Sequence, residues 1–218
     1  MPVVRHRFEG RIAGVGSSSG VRVVVGAWAV SPFGAFTDVM VEKPNGHRLL
    51  LAPTEPVADY VAHTYTFDEV RVQPVELTLG DTDWVVATPS FHLNLQLGGR
   101  LPLGRLLRLI PPRVGTSVAW TRVTDPIARA LVRGVRTRGE AHAGRREYYA
   151  ATDLHRVIGL SGRLDGFPLG VIAPVDPPCR FGFGSTPRTP SVTSLVTTVE
   201  SIEPGRGGLR ERSRPSPR

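Results

Sequence analysis

The stretch Phe36-Thr37-Asp38-Val39-Met40-Val41-Glu42-Lys43-Pro44-Asn45-Gly46-His47-Arg48-Leu49-Leu50-Leu51 decides the fold class. Two apolar runs flank Pro44-Asn45-Gly46, and Asn-Gly between such runs is the strongest short hairpin signal, because both residues tolerate positive φ. The same pattern extends outward on both sides. Upstream, residues 21–30 form a β-branched run, joined to a strand at 7–14 through the loop Val15-Gly16-Ser17-Ser18-Ser19-Gly20. Downstream, residues 54–63 read as a short helix: Thr54 can cap it, Glu55 suits its positive end, and Val57, Tyr60 and Val61 form an apolar stripe. Strands resume over 65–79, with Pro74 marking an edge or bulge, and Asp81-Thr82-Asp83 turns the chain. Phe91, Leu93, Leu95 and Leu97 then alternate with His92, Asn94 and Gln96, the period of a strand with one apolar and one polar face.

The middle of the chain changes character. Leu103, Leu106, Leu107 and Ile110 follow helical spacing until Pro111-Pro112. Asp125-Pro126 opens a second helix with Ile127, Ala130 and Leu131 on its apolar face, and Gly134 stops it. Strands return over 135–140 and 147–160, then 167–175 after the Asp165-Gly166 turn, then 181–184 and 192–202. From residue 203 onward Gly, Pro, Ser and Arg dominate, and a disordered tail is expected. The predicted fold is mainly β: an antiparallel β-barrel or two-sheet sandwich of lipocalin-like layout, with a short helical insertion at about 100–134. Residues 1–202 form one domain and 203–218 the tail. A parallel α/β architecture is disfavoured because helices do not alternate with strands.

Composition narrows the chemistry. The single cysteine, Cys179, cannot form an internal disulfide, and it reads as packing. No long apolar segment follows the N-terminus, and the most apolar run, 23–30, is far too short to span a bilayer, so a cytoplasmic location is expected. The net charge is +8, and of 27 basic residues only Lys43 is a lysine. It sits in a turn, whereas Schiff-base and phosphate-loop lysines need a desolvated or cradled amine. PLP enzymes, lysine-dependent decarboxylases and P-loop NTPases are therefore disfavoured. Nucleic-acid binding is not expected, since the basic residues are not interleaved with aromatics and no zinc or helix-turn-helix pattern occurs. No cofactor is implied.

Several constellations carry possible chemistry. Gly16-Ser17-Ser18-Ser19-Gly20 matches the nucleophile-elbow spacing, but a strand follows where that motif needs a helix, so it reads as a hairpin loop. On a single regular strand through 147–155, Glu147, Tyr149, Asp153 and His155 share a face. Asp153 could orient His155 as a general base. The two could also ligate a metal, but no third ligand is identifiable and no metal is assigned. The plain alternative is a polar face in water. His92, Asn94 and Gln96 pose the same choice, lining a polar cavity or meeting solvent. Arg100, Arg105 and Arg108 flank the leucine stripe and could touch an anionic membrane surface, or stay wet while the leucines pack. Phe181-Gly182-Phe183-Gly184 is either a ligand platform or core.

Ser31-Pro32-Phe33-Gly34, Leu50-Leu51-Ala52-Pro53, Gly134-Val135-Arg136-Thr137-Arg138-Gly139 and Phe181-Gly182-Phe183-Gly184-Ser185-Thr186-Pro187-Arg188 resemble stretches of a conserved uncharacterised family of high-GC Gram-positive (actinobacterial) bacteria. The resemblance covers most of the chain up to the tail. It implies an arginine-rich composition set by the genome and no particular mechanism. The leading expectation is a barrel or sandwich binding a small apolar ligand, with Glu147, Tyr149, His92, Asn94 and Gln96 as candidate contacts. The alternatives are an enzyme using His155 and Asp153 as a general base pair, and a membrane-surface accessory protein. Oligomeric state is open.

Overall fold

The computed structural model describes residues 3–111, 138–142, 145–182 and 186–202. The helix expected at 125–134 and the expected tail at 203–218 lie outside the described residues. The described strands are β1 (Val3–Ser17), β2 (Arg22–Val30), β3 (Phe36–Glu42), β4 (Arg48–Ala52), β5 (Glu69–Val72), β6 (Glu76–Leu79), β7 (Asp83–Ala87), β8 (Phe91–Arg100), β9 (Arg138–His142), β10 (Arg145–Leu164), β11 (Phe167–Pro168), β12 (Ile172–Ala173) and β13 (Ser191–Ile202). The helices are α1 (Glu55–Ala62) and α2 (Pro102–Leu107).

β3 and β4 form the expected hairpin, Val39 opposite Leu51 and Glu42 opposite Arg48. Its turn differs in detail. The Gly46 N–H donates to the Lys43 carbonyl at 2.9 Å, and of the turn residues Gly46 alone takes a positive φ, of +86°. The turn therefore centres on Pro44 and Asn45. Proline's fixed φ favours the second position of a type I turn, which leaves the left-handed conformation to the glycine that follows.

The sheet runs β5-β4-β3-β2-β1-β13-β10-β8-β7-β6 and curls into a half-barrel, as the mainly β, barrel-like reading expected. Every pairing is antiparallel except one. β5 runs parallel to β4, with Leu49 opposite Glu69 and Ala52 opposite Val72. Parallel neighbours need a crossover, and α1 supplies it. The segment expected as a strand over 65–79 is thus divided. Its first residues complete the crossover, and Pro74 separates β5 from β6 because it cannot donate to a ladder. The short β11 and β12 replace the longer strand expected over 167–175, and Phe181 lies in a bend rather than a strand.

Curling follows from β10. This 20-residue strand bridges β13 and β8 and carries register shifts between Ala151 and Asp153, His155 and Val157, and Val157 and Gly159. Each shift bends a strand and increases its twist. The concave face then closes on one core in which Val23, Val25, Val41, Leu49 and Leu51 meet Trp84, Val86, Phe91, Leu93 and Leu95. Trp84 is fully buried. Side chains stitch the free edge of β5 to the opposite side: Arg71 pairs with Asp165 at 2.6 Å, and the Gln73 amide donates to the Thr88 and Ser90 hydroxyls at 3.0 and 2.8 Å. No helix among the described residues is long and apolar enough to cross a membrane.

Because Trp84 packs against the far half of the sheet, Trp84→Ala is expected to cost about 3–5 kcal/mol in denaturant unfolding. Asp165→Asn, at a partly exposed ion pair, is expected to cost about 1 kcal/mol or less. A small loss for the tryptophan variant would mean that the two halves do not share a core.

Candidate functional site

The convex face of β1–β4 is also covered. Leu50 and Ala52 point outward beneath Val57, Ala58 and Val61 of α1, so β4 is buried on both faces. Beyond α1, Tyr65 and Phe67 reach over Met40 and Val24, and Phe181 packs beside Phe67 with ring centroids 5.7 Å apart. Backbone and ion pairs hold this cover in place. The Thr66 N–H donates to the Phe181 carbonyl at 2.7 Å. Glu42, fully buried, accepts from the Arg180 backbone N–H at 2.7 Å and from its Nε at 2.9 Å, while Arg22 Nη2 lies 2.8 Å from the same carboxylate. An unpaired carboxylate at that depth would be costly, and the two guanidiniums supply the compensation.

Between the convex face and its cover lies a cavity of about 60 Å³. The register of the sheet builds its floor. Trp28 is opposite Phe36, Gly26 opposite Asp38, Phe8 opposite Thr197, Thr197 opposite Tyr149, and Val199 opposite Glu147. Directly opposed residues share a face, so side chains of one face on five strands line the cavity. Tyr60, Thr64 and Tyr65 reach it from the cover, as do Cys179, Phe181 and Thr186. Gly26 leaves the room in which Asp38 meets Trp28: a Cβ there would collide with the Asp38 Oδ1 and Trp28 Nε1.

Asp38, Glu147 and Thr197 are among the polar residues of this largely apolar lining. Asp38 is 3 % exposed and accepts from the Trp28 indole N–H at 2.9 Å. Burial pushes its carboxyl up to about 7, against the hydrogen bonds from Trp28 and from its own backbone, which hold it lower. Glu147 accepts from the hydroxyls of Tyr65 and Tyr149 at 2.9 and 2.8 Å, and the two hydroxyls lie 2.5 Å apart. Burial, then the Glu147 charge and Tyr149, push the Tyr65 phenol well above its ordinary range, so it stays a donor. Thr197 is 4 % exposed, and its Oγ1 has no hydrogen-bond partner among the described residues. Cys179 borders the cavity, and burial pushes its thiol up to about 12, which fits packing rather than nucleophilic attack.

Of the residues singled out in the sequence, Glu147, Tyr149, Cys179 and Phe181 line the cavity, whereas Asp153, His155, His92, Asn94, Gln96, Arg100, Arg105 and Arg108 do not. The single face expected over 147–155 ends at Ala151. The register passes from Ala151 opposite Leu195 to Asp153 opposite Ser194, leaving Thr152 extra and turning Asp153 and His155 to the other side of the sheet. There Arg100 Nε donates to Asp153 at 2.8 Å, and His155 Nε2 lies 3.5 Å from its other oxygen. Burial would raise the Asp153 carboxyl, but the Arg100 hydrogen bond and charge and the Leu154 N–H hold it below its ordinary value. His92, Asn94 and Gln96 lie on β8 with the expected alternation, half-buried to exposed and away from the cavity. Arg105 and Arg108 are exposed at α2, as is Leu106 of the leucine stripe. Lys43 lies 3.6 Å from Asp165 near the β3–β4 turn, also away from the cavity. Among the described residues no group of three or more His, Cys, Asp or Glu is arranged to hold a metal ion.

Sequence reasoning missed Asp38, Trp28, Phe8 and Thr197. Asp38 was legible in principle. It interrupts the apolar parity of Phe36 and Met40, and an acid on an apolar strand face is uncommon without a purpose.

No family model matches the chain, and no curated protein matches it. Solved structures similar in backbone path include acetoacetate decarboxylase from Legionella pneumophila, at 12 % identity and a TM-score of 0.40, covering 92 % of this chain and 86 % of that one. A second acetoacetate decarboxylase structure has 10 % identity and a TM-score of 0.45, covering 92 % and 90 %.

The position of Asp38 sets a pH dependence. A carboxyl raised from 3.8 to about 7 holds its proton in the fold where the unfolded chain releases it. Its burial therefore carries no ionisation cost below about pH 4. The cost grows as pH rises through that window and is complete above about pH 7, where it is on the order of 4 kcal/mol at about 1.4 kcal/mol per pH unit. Asp38→Asn is expected to gain stability relative to the parent protein between about pH 4 and about pH 8, measured by denaturant unfolding across that range. A difference independent of pH would show that Asp38 titrates normally.

Proposed function

We propose that this protein binds a small, largely apolar molecule in the cavity between the convex sheet face and its cover. The observation that carries this reading is the cavity's lining: Phe8, Trp28, Phe36 and Tyr60 with a few inward polar groups, Asp38, Glu147 and Thr197. Such a mixture suits small-ligand recognition, apolar walls giving affinity and sparse polar groups fixing orientation. The barrel interior offers less. Trp84, Phe91, Leu93, Leu95, Leu49 and Leu51 fill it and are fully buried or nearly so. The ligand is small. A water needs roughly 10–15 Å³ of such space, so about 60 Å³ takes on the order of five non-hydrogen atoms.

Isobutanol has that size and tests the reading without naming the natural ligand. Millimolar isobutanol is expected to shift the methyl NMR signals of Met40 and Thr197 saturably while leaving those of Leu93 and Leu95 unmoved. Val24→Phe, which fills the cavity floor, is expected to abolish the shifts with the fold retained by circular dichroism. Shifts confined to the barrel-core leucines, or none at all, would overturn the assignment.

A further inference from the structure

The cavity has a chemical bias beyond being apolar. Its described lining includes two acidic residues, Asp38 and Glu147, and no basic one. Their situations differ. Glu147 is engaged by two tyrosine hydroxyls. Asp38 accepts one indole N–H at Oδ1 and has no ion pair among the described residues, although it is almost fully buried. A buried carboxylate elsewhere in this protein is treated otherwise: Glu42, at similar depth, has two arginines.

The walls around Asp38 are aromatic. Phe8 packs edge-on against Trp28 with ring centroids 5.5 Å apart and lies 5.4 Å from Tyr60, while Trp28 lies 6.4 Å from Phe36. Ring faces attract cations.

We infer that the ligand of this cavity is a small aliphatic amine bound as its ammonium ion, with Asp38 as counter-ion and the aromatic rings of the lining, Trp28 foremost, beside it. The inference rests on the cavity being the binding site. Bound ammonium would supply the charge compensation that Asp38 lacks and a cation for the rings. A neutral ligand of the same shape would satisfy neither as well. A neutral Asp38 donating to a ligand carbonyl or hydroxyl is the competing chemistry, and it favours uncharged molecules.

Isobutylammonium and isobutanol have the same shape and differ in charge, so the pair separates these cases. Titrations at about pH 8, read by the Met40 and Thr197 methyl signals and repeated by calorimetry, are expected to give isobutylammonium at least about tenfold tighter binding than isobutanol. Asp38→Asn is expected to reduce isobutylammonium affinity at least about tenfold and to change isobutanol affinity by no more than about twofold. Isobutanol binding as tightly as isobutylammonium, or isobutylammonium binding unaffected by Asp38→Asn, would overturn the amine inference and leave the cavity assignment standing. Failure of both molecules to shift the cavity signals would remove both.

Discussion

Two parallel strands cannot be joined by a tight turn, and β4 and β5 are parallel. The chain between them must leave the sheet, cross over one face and return. It does so through α1 and residues 63–68, and the rest of the outer layer depends on that crossing. Once a helix lies on the convex face, Leu50 and Ala52 are buried beneath it. β4 then lies between two apolar layers, and the neighbouring residues of β2 and β3 need a cover as well. Residues 177–182 extend that cover, held by Glu42 through Arg22 and Arg180. A sheet made only of hairpins would have left this face wet.

The two layers are filled differently. On the concave side, large side chains from opposite halves of the sheet pack into one buried core. On the convex side, the cover is a short helix and an irregular strap, and these do not interdigitate with the pleat at every position. The gap is lined by Gly26, Asp38 and Trp28 of β2 and β3 and by Glu147 and Thr197 of β10 and β13. Tolerance of a buried carboxylate near neutral pH is therefore a property of this seam and not of the barrel core.

Much of this was legible in the sequence, and what was not has identifiable causes. Asn45-Gly46 between apolar runs gave the hairpin because turn chemistry is local. The period-2 pattern over 91–97 gave β8 because one face meets the core and the other is polar. The helix at 55–62 was readable from Glu55 and its stripe, while Thr54 holds the N-cap position without a side-chain capping hydrogen bond. The parallel return of β5 was not, since strand direction depends on a partner about 20 residues away and leaves no local pattern. The face of Asp153 and His155 was misread because one extra residue at Thr152 inverts everything beyond it, and bulges have no firm sequence signature. For the site, Glu147 and Tyr149 were found because their i, i+2 spacing survives on the regular part of β10. Asp38 and Thr197 escaped because only the folded sheet and its cover place their strands on one cavity. The unbroken run Val23-Val24-Val25, which does not alternate, was the available sign of burial on both faces.

The central claim is that the space for a ligand lies outside the curled sheet, beneath the crossover, and not within it. Xenon under pressure enters apolar cavities and scatters anomalously, so a crystal of this protein equilibrated with xenon locates such space directly. A strong anomalous peak is expected beside Trp28 and Tyr60 on the convex side, with none among Trp84, Phe91 and Leu95. A peak within the barrel core, or a convex seam with none, would contradict the account.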